Sequence, residues 1–189
     1  TGNYAMHLAL NYKGKPLIGI VLIPSKNELW IAVGGEIWCE KRKNNSFKKY
    51  LLKSNKSLND MVLVTSKNHK NDNLNRLIEK INFKKVINMG SIGCKIASIL
   101  RGESDIYISL SLPGKSAPKD WDFAAPEAIL KAAGGAITKI NNQDLIYGKP
   151  NFEQGGIIIA SNDKLRHENI CLQLREYIKK YEVYPLTLN

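Results

Sequence analysis

From residue 61 onward, short apolar runs alternate with stretches of helical period. Residues 61–65, 86–89, 105–110, 136–140 and 156–160 are apolar runs of strand length. Between them, residues 73–81, 92–100, 122–133 and 162–181 carry apolar positions three and four apart. Alternating strands and helices predict α/β layers around a mostly buried sheet. The stop signals agree: Gly102 follows the second helix, Gly134 and Gly135 follow the third, and Asn162 or Asp163 can cap the last. Pro126 is expected in the first turn of the third helix, where its missing N–H costs nothing.

The opening section reads differently. Tyr4, Met6, Leu8 and Leu10 share one face of a strand, and Gly14 and Pro16 make a turn. Residues 17–24, 28–33 and a short piece near 37–39 follow with tight connections, which predicts an antiparallel meander. The chain therefore divides into a meander, residues 1–60, and an α/β part, residues 61–189. At 189 residues, 43% hydrophobic and 24% charged, it can bury a real core and is not a disordered chain. No apolar run approaches the ~20 residues that cross a bilayer, so no membrane helix is expected. Cys39, Cys94 and Cys171 are odd in number and far apart, which argues against disulfides or a zinc site and for a reducing, cytoplasmic setting. No basic start leads into an apolar stretch, so no signal peptide is expected. The chain begins at Thr1 and enters a strand almost at once, which reads as a fragment of a longer protein.

Of the net charge of +11, nearly all sits in residues 41–85, with thirteen Lys or Arg against Asp60, Asp72 and Glu79. Few aromatics interleave this run, and it matches no nucleic-acid motif. It reads as a solvated face; a basic module binding nucleic acid or an acidic partner is the rival reading.

Residues 119–135, KDWDFAAPEAILKAAGG, are the most specific stretch. A carboxylate opens a helix, small residues follow, and a glycine pair ends it. A helix start offers unpaired N–H groups and a partial positive charge. Asp122 there can hold a hard cation such as Mg²⁺ beside a phosphate, and Ala124 and Ala125 let a ligand or a strand come close. The competing reading makes Asp122 or Asp120 a helix cap and Trp121 a core residue.

WDxAA…AGG resembles the second signature of the inositol monophosphatase-like, magnesium-dependent phosphatases. Residues 90–107 are similar to the family's GSxxxK…xxGxxDxY segment, and 147–161 to its late YGxxN…GxIAS pattern. The opening strands through Gly19–Pro24 and Glu28–Ala32 resemble those that follow the first signature, so nearly the whole chain is covered. The overall look is nearest the CysQ branch, the 3'(2'),5'-bisphosphate nucleotidases.

The resemblance implies a layered αβαβα sandwich, here without its N-terminal helices and first metal-binding motif. It implies hydrolysis of a small phosphorylated substrate with Mg²⁺. Asp122 would be a metal ligand, and Ser91, Lys95 and Ala124 would lie against substrate. The arginine that many nucleotidases carry after the DxY strand is replaced by Ile108 and Ser109, and Lys115 or Lys119 would compensate. The first signature, DP(I/L)DGT, is absent. With one metal carboxylate remaining, these residues are expected to hydrolyse little alone. The implied substrate is adenosine 3',5'-bisphosphate, giving AMP and phosphate; inositol 1-phosphate and fructose 1,6-bisphosphate are alternatives. The exposed meander edge would call for self-association, as in a homodimer.

The remaining candidates point to structure. His7, His69 and His167 are far apart with no partner motif, Cys94 reads as a buried structural thiol, and Glu127 reads as a dipole-complementing first-turn residue.

Overall fold

The computed structural model describes residues 2–41, 55–67, 72–112 and 115–185. Most of the basic run at 41–59, and His69, lie outside the described residues. The meander is present as β1 (Met6–Tyr12), β2 (Lys15–Ile23), β3 (Glu28–Val33) and β4 (Glu36–Lys41), antiparallel in that order. The alternating part follows as β5 (Val62–Ser66), α1 (Asp72–Ile81), β6 (Lys85–Met89), α2 (Ile92–Leu100), β7 (Ile106–Ser111), α3 (Asp120–Ala132), β8 (Ala136–Lys139), β9 (Gly156–Ser161) and α4 (Lys164–Lys180). Its sheet runs β6-β5-β7-β9-β8: β5 pairs parallel with β6 and β7, whereas β9 is antiparallel to β7 and β8.

The layers follow from period-two alternation in the second sheet. Val64, Tyr107, Ile158 and Ala160 face one core, with α2, α3 and the inner face of the first sheet. Leu63, Ile106, Ile108, Ile157 and Ile159 face the other, against Leu74, Leu77 and Ile81 of α1 and Ile170, Leu174 and Ile178 of α4. The order is sheet, helices, sheet, helices. The first core draws on both parts of the chain, and α3 is the element they share. At Gly19 a Cβ would lie 2.5 Å from Ala128 Cβ and 2.7 Å from the Ala125 carbonyl, so β2 seats directly on α3 only because that position is bare.

The outer face of the first sheet is apolar. Met6, Leu8 and Leu10 are 66%, 66% and 53% exposed, and they pair with half-buried Leu22, Ile20 and Ile18. The strand period is as the sequence implies, but no described element covers this face.

Two expectations change in α3. The helix begins at Asp120, whose buried carboxylate accepts from Gly148 N–H at 2.6 Å and Gln154 Nε2 at 2.7 Å. Pro126 therefore lies in the second turn, leaving the Asp122 carbonyl without its usual i+4 donor. Glu127 is not a solvated first-turn residue. It is 2% exposed, bonds the Tyr147 hydroxyl and pairs with Lys131 at 2.6 Å. Burial raises its pKa against the pull of Lys131. The last helix is capped by Asp163, which accepts from Leu165 N–H at 2.9 Å.

Candidate active site

In the second sheet, the connection from β5 goes through α1 to one face and the connection from β6 through α2 to the other. Such a switch opens a crevice beyond the carboxyl ends of the parallel strands, where open α/β sheets take their ligands. Here the crevice is a cleft of about 1120 Å³. Ser66 and Ser111, at the ends of β5 and β7, line it, as do the starts of α1, α2 and α3. Three helix starts facing one cavity favour an anion.

Ser91 is the N-cap of α2 and accepts from Gly93 N–H at 3.2 Å. One turn on, Lys95 lines the cleft although it is only 1% exposed. Its ammonium donates to the Gly90 carbonyl at 2.6 Å and lies 5.6 Å from the centre of the Tyr107 ring. Burial lowers its pKa to about 8, opposed by the charges of Cys94 and Asp122. Tyr107 is pushed up to about 12, chiefly by burial.

Asp122 is the third residue of α3. Its Oδ2 accepts from Lys119 N–H at 2.8 Å, and its own N–H donates to the Lys119 carbonyl at 3.0 Å. The carboxylate thus closes the helix start with one oxygen, and among the described residues none bonds Oδ1. Capping and facing the cleft are one geometry here.

The structure brings Ser91, Lys95, Lys115, Lys119 and Asp122 to one cleft. Lys115 is exposed on the rim, and the Lys119 ammonium pairs with Glu153 at 2.9 Å. Ala124 is not on the wall: it is 3% exposed and packed in the first core. Trp121 is not core. It is 61% exposed, lines the cleft and leans on Phe152 with ring centroids 6.0 Å apart. Ser109, in place of the arginine, also lines the cleft.

The histidines divide. His7 lies in the cleft wall, unmarked by any sequence motif. His167 is 2% exposed, with Nδ1 2.7 Å from Ser161 Oγ and Nε2 2.8 Å from Thr138 Oγ1. This cluster looks like a hydrolytic arrangement but is sealed in the core, where no substrate reaches. The three cysteines are buried, and burial raises each thiol pKa.

Among the described residues no three of His, Cys, Asp or Glu come together as a metal site. Asp122 and the exposed Asp72, at the starts of α3 and α1, are the carboxylates among the described lining residues, and Mg²⁺ gives up its waters reluctantly, so this donor set does not make a magnesium centre alone. No helix among the described residues is long and apolar enough to cross a membrane.

Residues 1–179 match the inositol monophosphatase family, and the chain belongs to it. The 3'(2'),5'-bisphosphate nucleotidase 1 of Dictyostelium discoideum is 27% identical over 174 residues, covering 82% of this chain and 52% of that protein. The 3'(2'),5'-bisphosphate nucleotidase CysQ of Buchnera aphidicola is 30% identical over 146 residues, covering 77% and 51%. The chain spans about half the length of these curated relatives. Among solved structures, an IMPase of Thermotoga maritima superposes with a TM-score of 0.71 at 22% identity, covering 95% of this chain and 63% of that one. CysQ from Bacteroides thetaiotaomicron gives 0.69 at 21%, covering 86% and 64%. These two likenesses establish the layered fold. Enzymes of the family are generally metal-dependent.

Proposed function

We propose that this chain forms the substrate wall of a phosphomonoesterase acting on nucleoside bisphosphates, a 3'(2'),5'-bisphosphate nucleotidase. Water would cleave the 3'-phosphate ester of adenosine 3',5'-bisphosphate, the departing ribose oxygen taking a proton, to leave AMP and phosphate. The observation that carries this is a buried cation, Lys95, lining the same cleft as Asp122 at the start of α3. An ammonium held in place by the Gly90 carbonyl and Tyr107 retains donors for an anion without reorganising. At about 1120 Å³ the cleft has room for a nucleotide, since drug-sized ligands fill roughly 300–1,000 Å³. The names of the relatives support the same substrate class. The cation we propose is Mg²⁺, with Asp122 supplying one of its ligands. Because Asp122, with only the exposed Asp72 also lining the cleft, is too small a carboxylate set, the chain alone would release little phosphate.

A second reading, inositol 1-phosphate, is favoured by the hydroxyls of Thr65, Ser66, Ser109 and Ser111 along the cleft. Calorimetric titration with Mg²⁺ separates the two. Adenosine 3',5'-bisphosphate is expected to bind at least about tenfold more tightly than inositol 1-phosphate, because a second phosphate meets a second charge-assisted bond. Equal or reversed affinities would reject the nucleotide reading.

A further inference from the structure

His7 sits on β1, an edge strand of the first sheet, yet its ring closes part of the cleft wall. Its Nδ1 is 3.2 Å from the Trp121 carbonyl and its Nε2 is 3.2 Å from Ser91 Oγ. A carbonyl only accepts, so Nδ1 carries the proton. The neutral ring then has a lone pair on Nε2, and the Ser91 hydroxyl donates to it. Burial holds the ring neutral by lowering its pKa below 6.5, outweighing the Trp121 bond and the charge of Asp122. Ser91 Oγ already accepts from Gly93 N–H. The bonds thus run one way: Gly93 to Ser91, Ser91 to His7, His7 to the Trp121 carbonyl.

The packing at Gly93 points the same way independently. A Cβ there would lie 2.3 Å from His7 Nε2 and 2.8 Å from Val21 Cγ1. The imidazole has its seat because position 93 carries no side chain. What the ring joins is the start of α2, which carries Lys95, and the start of α3, which carries Asp122.

We propose that His7 is a positioning residue of this cleft, which holds the starts of α2 and α3 in register and turns the only proton of the Ser91 hydroxyl inward. Ser91 then meets a ligand as an acceptor. It suits a hydroxyl or a bound water on the substrate better than a bare phosphate oxygen. The consequence for ligands rests on the cleft being the substrate site; the hydrogen-bond chain does not.

Two substitutions take the chain apart. His7→Asn keeps a donor near the place of Nδ1 and loses the Ser91 link. His7→Gln keeps an acceptor near Nε2 and loses the Trp121 link. Nitrogen-15 NMR of the unsubstituted chain at pH 7 is expected to show the neutral, Nδ1-protonated tautomer. Amide shifts of residues 91–93 should move in His7→Asn and stay in His7→Gln, and those of 120–122 should do the reverse. An Nε2-protonated ring, or identical shift changes in both variants, would overturn the proposal. Titration with adenosine 3',5'-bisphosphate and Mg²⁺ adds the functional arm. His7→Phe, which keeps a ring but loses the tie between the starts of α2 and α3, should bind about tenfold more weakly through that lost register, roughly the worth of one net hydrogen bond. Unchanged affinity in His7→Phe would refute the positioning role. If the unsubstituted chain binds no nucleotide, the substrate reading falls, and the tautomer and shift pattern still decide the case for His7.

Discussion

Lys95→Met is expected to weaken binding of adenosine 3',5'-bisphosphate by about a hundredfold, because the anion loses a buried, desolvated partner charge, an effect of about 2–5 kcal/mol. The same change is expected to make the fold more stable. Lys95 is almost fully buried, and burial lowers its pKa from 10.5 to about 8. The unfolded chain holds this proton more tightly than the folded one. Below pH 8 the folded state therefore carries a penalty on the order of 3 kcal/mol, which is relieved as the pH rises from 8 to 10.5. Methionine has similar length and no charge, so the variant should unfold at higher denaturant and lack that alkaline gain. Weaker binding with greater stability is the mark of a residue kept for its ligand. A Lys95→Met chain that binds normally, or that unfolds more easily at pH 7, would remove Lys95 from the site.

His167 gives the second large effect, in the opposite pH range. Its ring is held between two hydroxyls in the second core, and burial, aided by the positive Lys131, lowers its pKa to about 4. In the unfolded chain the same group protonates near 6.5. Between these values the unfolded state takes up the proton first, so stability falls as the pH drops from 6.5 to 4. The loss from this residue should reach about 3 kcal/mol. His167→Gln keeps a polar side chain that cannot titrate in this range. Urea unfolding of both proteins across pH 4–7 should show curves that converge toward acid. Parallel curves would mean that His167 does not carry the acid sensitivity.

How far the sequence reaches depends on whether a signal is local. The helices of the second part could be placed because Leu74, Leu77 and Ile81 repeat at helical spacing, Gly102 stops α2 and Asp163 caps α4. The alternation in Gly156–Ser161 even implies two cores, since Ile157 and Ile158 must face opposite ways. Asp122 and Lys95 could be singled out because each stands at the start of a helix within a motif. His7 could not. A histidine between Met6 and Leu8 on a strand shows nothing of a serine 84 positions away. A signal was present at Gly93, where a glycine in a helix's first turn announces a close approach without saying of what. Trp121 misleads for the opposite reason: a large aromatic next to a helix start reads as core, but its neighbours Asp120 and Phe123 turn inward and leave it facing out. Glu127 misleads because its partners, Lys131 and Tyr147, meet it only in the folded chain.

The proposed function places an anionic ester at one location, beyond the carboxyl ends of β5 and β7 and between the starts of α2 and α3. Amide chemical-shift mapping during titration with adenosine 3',5'-bisphosphate and Mg²⁺ tests this most directly. The account predicts saturable shifts concentrated at residues 91–95 and 115–122. Shifts confined to the small pocket beside Lys15 and Asp144, or spread over the basic residues 41–59 with the steep salt dependence of polyanion binding, would contradict it.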